Sequence, residues 1–138
     1  MSQLDRLTRR FAGAEPGLRL ELLLDLADRL PALPERYQSA VAAGTNRVHE
    51  CQTPVFLFPE VQEGRFALFA DVPREAPTVR GFVSLLIRGL NGATLEEVHA
   101  VPEDLLDRLK LTELLGMTRT QGLNAIVGRV KRMGESKG

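Results

Sequence analysis

The chain contains a single cysteine, Cys51, and no tryptophan, and its 18 Lys plus Arg are offset by 18 Asp plus Glu to a formal net charge of zero. One cysteine excludes an internal disulfide, and it excludes any multi-cysteine zinc or iron–sulfur site built from one copy of the chain. Zero net charge removes the broad basic footprint expected for a nucleic-acid or membrane-surface binder. Long apolar runs are missing too. The densest stretch, Leu18 to Leu30, is interrupted by Arg19, Glu21, Asp25, Asp28 and Arg29, whereas a membrane span needs roughly 20 mostly uncharged residues. The opening Met1-Ser2-Gln3-Leu4-Asp5-Arg6-Leu7 alternates charge and leucine without a secretory h-region, so a reducing cytoplasm is the expected compartment. Glycine-rich phosphate loops, paired metal histidines and a nucleophile elbow are absent as well. Neither a metal nor a cofactor is expected.

What is present suits a globular fold. With 138 residues, 43% hydrophobic and 26% charged, residues 1–138 are expected to form one domain able to bury a core unaided. Leu4 to Phe11 reads as a short, loosely held helix ending near Gly13. From Pro16, the repeat Leu18, Leu22, Leu26 and Leu30 predicts a helix with that stripe on the core, Arg19, Glu21, Asp25 and Arg29 in water, and a stop at Pro31. Two apolar runs, Val55 to Phe58 and Phe66 to Phe69, flank Val61-Gln62-Glu63-Gly64-Arg65 and predict a β-hairpin. Arg47-Val48-His49 would add a third strand entering Cys51, and Pro59 would mark a strand end or edge. Helical spacing returns at Val79 to Leu90, closed by Asn91-Gly92. Thr94-Leu95-Glu96-Glu97 and Thr118-Arg119-Thr120-Gln121 both have capping-box spacing. The expected class is α+β, with an antiparallel sheet of about three strands against flanking helices.

Cys51 draws attention by its setting. A lone cysteine is commonly a small buried hydrophobe. Here it lies in the polar segment Val48-His49-Glu50-Cys51-Gln52-Thr53-Pro54, outside every apolar stripe, and loops on rigid scaffolds are where reactive groups concentrate. The thiolate is the nucleophile, favoured by a cationic partner or backbone donors. Glu50 works against it, whereas His49, on the same face if the segment is extended, would partly offset Glu50. Arg119 sits where the helix macrodipole disfavours a cation, as if reserved for bracing a loop with its planar fork of donors.

At these residues the sequence resembles the SufE family of sulfur acceptors, whose signature is Gly-Cys-Gln-Ser before an apolar strand. The corresponding segment is Glu50-Cys51-Gln52-Thr53-Pro54-Val55-Phe56. Leu26-Ala27-Asp28-Arg29-Leu30-Pro31, Val79-Arg80-Gly81-Phe82, Asn91 to Glu97 and Thr118-Arg119-Thr120-Gln121-Gly122-Leu123 are also similar to the family and follow its order. Two departures stand out. Glu50 occupies the usual glycine position, where any positive φ would be strained, and Pro54 lacks an N–H for a strand ladder.

The resemblance implies a SufE-like fold and a definite activity. Cys51 would accept sulfane sulfur from the persulfide of a SufS-type cysteine desulfurase, whose pyridoxal phosphate stays with that partner, and pass it to an iron–sulfur scaffold complex. Gln52 and Thr53 would shape the loop, and Arg119 would lie near it; Glu50 and His49 are candidates from the residues themselves, as neighbours of the thiol. In the family's resting state the thiol tends to turn inward, with exposure following docking. The chain would be a sulfurtransferase-type accessory protein that stimulates the desulfurase, monomeric or homodimeric, rather than a stand-alone enzyme. The residues leave an alternative open: a non-enzymatic helical interaction module with an inert buried cysteine. A one-cysteine peroxidase or hydrolase would need a base and an oxyanion site, for which the sequence offers no convincing set.

Overall fold

Capping and apolar periodicity decide where the helices lie. A computed structural model describes residues 2–135. Helix α1 (Gln3–Ala12) begins on a capping box in which Asp5 N–H donates to Ser2 Oγ at 3.0 Å and Ser2 N–H to Asp5 Oδ2 at 3.3 Å. It is not loosely held: Leu4 and Phe11 are buried in the core. Helix α2 (Pro16–Asp28) starts at Pro16 and is followed by a 3₁₀ turn at Glu35–Tyr37 and the short α3 (Gln38–Ala42).

The buried face of α2 differs from the expected stripe. Leu18 is 50% exposed, while Arg19, at 8%, is buried with Leu23, Leu26, Ala27 and, just past the helix, Leu30. The face is therefore 19/23/26/27, rotated from the leucine count. Arg19 has a reason to be inside: its Nε donates to Phe11 O at 2.9 Å and its Nη2 to Ala14 O. Phe11 lies at the end of α1, where its carbonyl also accepts from Ala14 N–H at 3.1 Å, and Ala14 lies just past it; a guanidinium supplies donors in a fixed fork to both carbonyls. The leucine repeat could not show that α1 ends against this point.

Strands β1 (Phe56–Gln62) and β2 (Arg65–Asp71) form an antiparallel hairpin, with Gln62 opposite Arg65. The turn residues Glu63 (φ 54°) and Gly64 (φ 77°) both take positive φ, as a primed two-residue turn requires. The third strand does not form. Arg47 makes one isolated bridge to Phe56, and Leu57 N–H reaches Asn46 O at 3.2 Å, but the chain then turns through residues 49–53. Pro59 lies inside β1, opposite Leu68. On β2, Phe66 exchanges bonds with Gly92 and Ala93, and Leu68 N–H donates to Asn91 Oδ1. Leu68 thus points its N–H away from β1, so the ladder has no bond for Pro59 to lose.

The inner side of β2, Phe66, Leu68 and Ala70, packs against α4 (Pro77–Leu90), which also crosses α1 and α2. Arg80 fastens the α2–α4 seam, donating to Ala27 O at 2.9 Å and to Val72 O at 2.6 Å. On the outer side, Tyr37 stacks on Phe58 with ring centroids 4.4 Å apart, and Glu60 accepts from both the Tyr37 hydroxyl and Arg36. Those bonds, Tyr37's first, hold the Glu60 carboxyl below its usual range, while burial and then the bond to Glu60 raise the Tyr37 hydroxyl.

The rest is helical: α5 (Leu95–His99), α6 (Leu105–Arg108), α7 (Thr112–Leu115) and α8 (Met117–Met133). Thr94 forms the expected capping box with Glu97. The second box does not form. Helix α8 begins earlier, after Gly116 (φ 84°), and Thr120 Oγ1 instead donates to Gly116 O at 2.6 Å. The positive φ of Gly116 sets the bend between α7 and α8, which displaced the start that the Thr-x-x-Gln spacing suggested. Among the described residues no helix is long and apolar enough to cross a membrane.

Candidate functional site

The site begins at a pinched loop. Val48 and Val55 are both fully buried, and Val48 N–H donates to Val55 O at 2.8 Å. Residues 49–54 leave this neck as a short excursion of turns and bends. Cys51 is its inward corner. The residue is 5% exposed and belongs to the hydrophobic core cluster, while Glu50, Gln52 and Pro54 are exposed and Thr53 half-buried. Its N–H donates to Val48 O at 3.2 Å.

Above the loop lies an open cleft of about 630 Å³. Glu50, Cys51, Gln52 and Thr53 form one wall, the segment Glu75 to Val79 at the start of α4 a second, and Leu115 to Gly122 a third. Arg119 stands on this third wall, exposed, and its side chain has no hydrogen bond or ion pair among the described residues, so no such bond ties it to the loop. Met117 beside it is 77% exposed.

Cys51, Glu50, Gln52, Thr53 and Arg119 thus share one cleft, but His49 does not line it. His49 is exposed, and because residues 49–53 turn rather than extend, it does not share a face with Cys51 by strand alternation. Glu50 is also relieved of the expected difficulty: the only non-glycine residues with positive φ among those described are Asn46, Glu63 and Lys110. Pro54 removes no ladder bond either, since the neck uses the carbonyl of Val55.

Two contributors were not singled out as site residues from the sequence. The Glu75–Val79 wall is distant in sequence from Cys51, and only Val79 belongs to a family-like segment. Gly122, within the Thr118–Leu123 segment, carries a signal, for it lies one helical turn after Arg119 and so on the same face of α8. Among the described residues, no group of three or more His, Cys, Asp or Glu is placed to hold a metal ion. The arrangement suits thiol exchange, which needs one sulfur nucleophile and access for a second sulfur.

A small α+β fold that presents one thiol at the floor of a polar cleft defines the class. The family model described as SufE, Fe-S metabolism associated domain, matches residues 5–133, and the chain belongs to the SufE family. An uncharacterized SufE-like protein of Mycobacterium tuberculosis is 38% identical over 123 residues, covering 88% of this chain and 84% of its own. The sulfur acceptor protein CsdE of Escherichia coli is 33% identical over 106 residues, covering 75% of this chain and 68% of its own. The solution structure of a hypothetical protein from Thermus thermophilus is similar with a TM-score of 0.84 at 34% identity, covering 96% of this chain and 93% of that one.

Proposed function

We propose that the protein is a sulfur acceptor of iron–sulfur metabolism that loads Cys51 with persulfide sulfur from a SufS-type cysteine desulfurase and delivers it to a cluster scaffold. The single observation that carries this reading is that the only cysteine of a SufE-family chain lies in a cleft together with Glu50, Gln52, Thr53 and Arg119.

The Cys51 thiolate attacks the outer sulfur of the donor's persulfide. A new S–S bond forms to Cys51 Sγ, the donor's own S–S bond breaks, and its electron pair leaves on the donor cysteine as thiolate. The chain is left with a persulfide, and nothing is oxidised or reduced overall. With no second cysteine, no internal disulfide can expel the bound sulfur. Removal of the acquired sulfur frees the desulfurase for another turnover, which is how the acceptor would stimulate it. Arg119, exposed at the rim and unpaired among the described residues, is a cation available to the anionic persulfide or to the partner's surface. His49 is left with at most a peripheral part. Residues 1–138 act as one unit in a reducing cytoplasm, which keeps the thiol free.

Intact mass spectrometry tests this. After incubation with the desulfurase and free cysteine, the wild-type chain should gain about 32 Da, one sulfur atom, and Cys51→Ser should gain nothing. A wild-type chain that stays at its original mass ends the proposal. The burial of Cys51 favours a second reading, an interaction module with an inert thiol. Slow thiol labelling both alone and in complex with the desulfurase would support that module instead.

A further inference from the structure

Cys51 rests against a residue that has no side chain. A Cβ built on Gly122, inside α8, would lie 3.3 Å from Cys51 Sγ, 3.7 Å from its Cα and 3.8 Å from its Cβ. The three nearest atoms all belong to Cys51, so a methyl group there presses on that residue. Carbon contacts are most favourable at about 3.5–4.0 Å, and sulfur is larger than carbon, so 3.3 Å is overpacked. Glycine within a helix weakens it relative to alanine. Gly128 on the same helix offers a contrast: an added Cβ would meet only the tip of Arg132, at 3.6 Å.

Cys51 is also held inward by its packing in the hydrophobic core cluster. Its backbone makes the one bond to Val48 O, and three of its loop neighbours, Glu50, Gln52 and Pro54, are exposed. The fixed point is the neck, where Val48 and Val55 are buried and hydrogen-bonded. A loop attached in this way can turn about its neck while Val48 and Val55 stay packed. We propose that Gly122 is a positioning residue for Cys51: its bare backbone is the seat that keeps the thiol turned inward, and the fit of that seat sets how often the loop presents the thiol to solvent and to a partner. The proposal deepens the sulfur-acceptor reading and rests on it for its meaning, but the seat itself is read from the chain alone.

Alkylation of Cys51 by iodoacetamide, followed by intact mass without any desulfurase, makes the test. With one cysteine in the chain, every added group reports on Cys51. Gly122→Ala should react about tenfold faster, because overpacking shifts the loop outward, whereas Gly128→Ala should react at the wild-type rate. A folded Gly122→Ala that reacts no faster than wild type overturns the proposal. If Gly122→Ala does not fold, the double variant Cys51→Ala, Gly122→Ala decides, since it removes the sulfur from the 3.3 Å contact. A recovered cooperative melt supports the seat, and equal failure of both variants overturns it. Sulfur uptake is scored apart. Accelerated alkylation in Gly122→Ala with no uptake by the wild type ends the acceptor reading and leaves the seat standing. Normal uptake with unchanged alkylation does the reverse.

Discussion

Gly81 and Gly122 occupy similar places, each on the face of a long helix where another part of the chain comes too close for a side chain. The parts that come close differ. At Gly81 in α4 an added Cβ would stand 2.2 Å from Leu23 O, a backbone atom in the middle of α2. At Gly122 it would stand 3.3 Å from a cysteine side chain on a loop. Leu23 cannot retreat without breaking the helix ladder and the buried seam to which Arg80 is fastened. Cys51 retreats by turning about the Val48–Val55 neck. The same steric device therefore locks two elements together in one place and sets a balance between two positions in the other.

The comparison is broken most forcefully at the seam. Gly81→Ala should cost about 3 kcal/mol or more of folding stability, or prevent folding, because backbone rather than a side chain must move. Urea denaturation measures it, and an unchanged midpoint would mean that the helices adjust freely. At the cleft the effect should fall on transfer and not on stability. Arg119→Ala removes an exposed cation with no partner among the described residues, so its urea-derived stability should stay within about 0.5 kcal/mol of wild type. Sulfur acceptance should fall about tenfold, the loss of one charge-assisted contact in the complex. Proportional loss of both would mark Arg119 as merely structural.

The smallest effect should come from the outer face of the hairpin, remote from both glycines. The Glu60 carboxyl is held below its ordinary value of 4.5 by Tyr37 and then Arg36. A carboxyl lowered by folding stabilises above its ordinary value, and that stabilisation fades as pH falls from there through the folded-state value. Melting temperature followed from neutral pH downward should therefore drop on the acid side, and the drop should be shallower in Tyr37→Phe, which loses the largest cause. Identical acid profiles would show that the Glu60 bonds contribute nothing to this slope.

Legibility from sequence followed how local each determinant is. The hairpin turn at Glu63-Gly64, the Thr94 capping box and the apolar face of α4 all depend on residues within one turn or one strand of each other, and all were readable. Arg19 was misassigned to solvent because its partners, the carbonyls ending α1, come from an element that periodicity treats separately. The strand expected at Arg47-Val48-His49 shrank to one bridge because the chain turns to form the cysteine loop. At the site, the family motifs named Cys51, Gln52, Thr53 and Arg119 as candidates, Glu50 was added as a neighbour of the thiol, and all five line one cleft. His49 was grouped with them by counting along an extended chain that is in fact turned.

The order of residues alone determined that this chain has one thiol, no disulfide, a hairpin beneath a set of amphipathic helices, and the motifs of its family. These follow from composition and from periods of two and 3.6 residues, which act over short distances along the chain. Only the tertiary structure decided that the thiol points into the core, that Gly122 is what it rests on, and that Glu75 to Val79 supply the facing wall. Each of these depends on the approach of segments far apart in sequence, where a few tenths of an ångström at a close contact decide whether a side chain is tolerated.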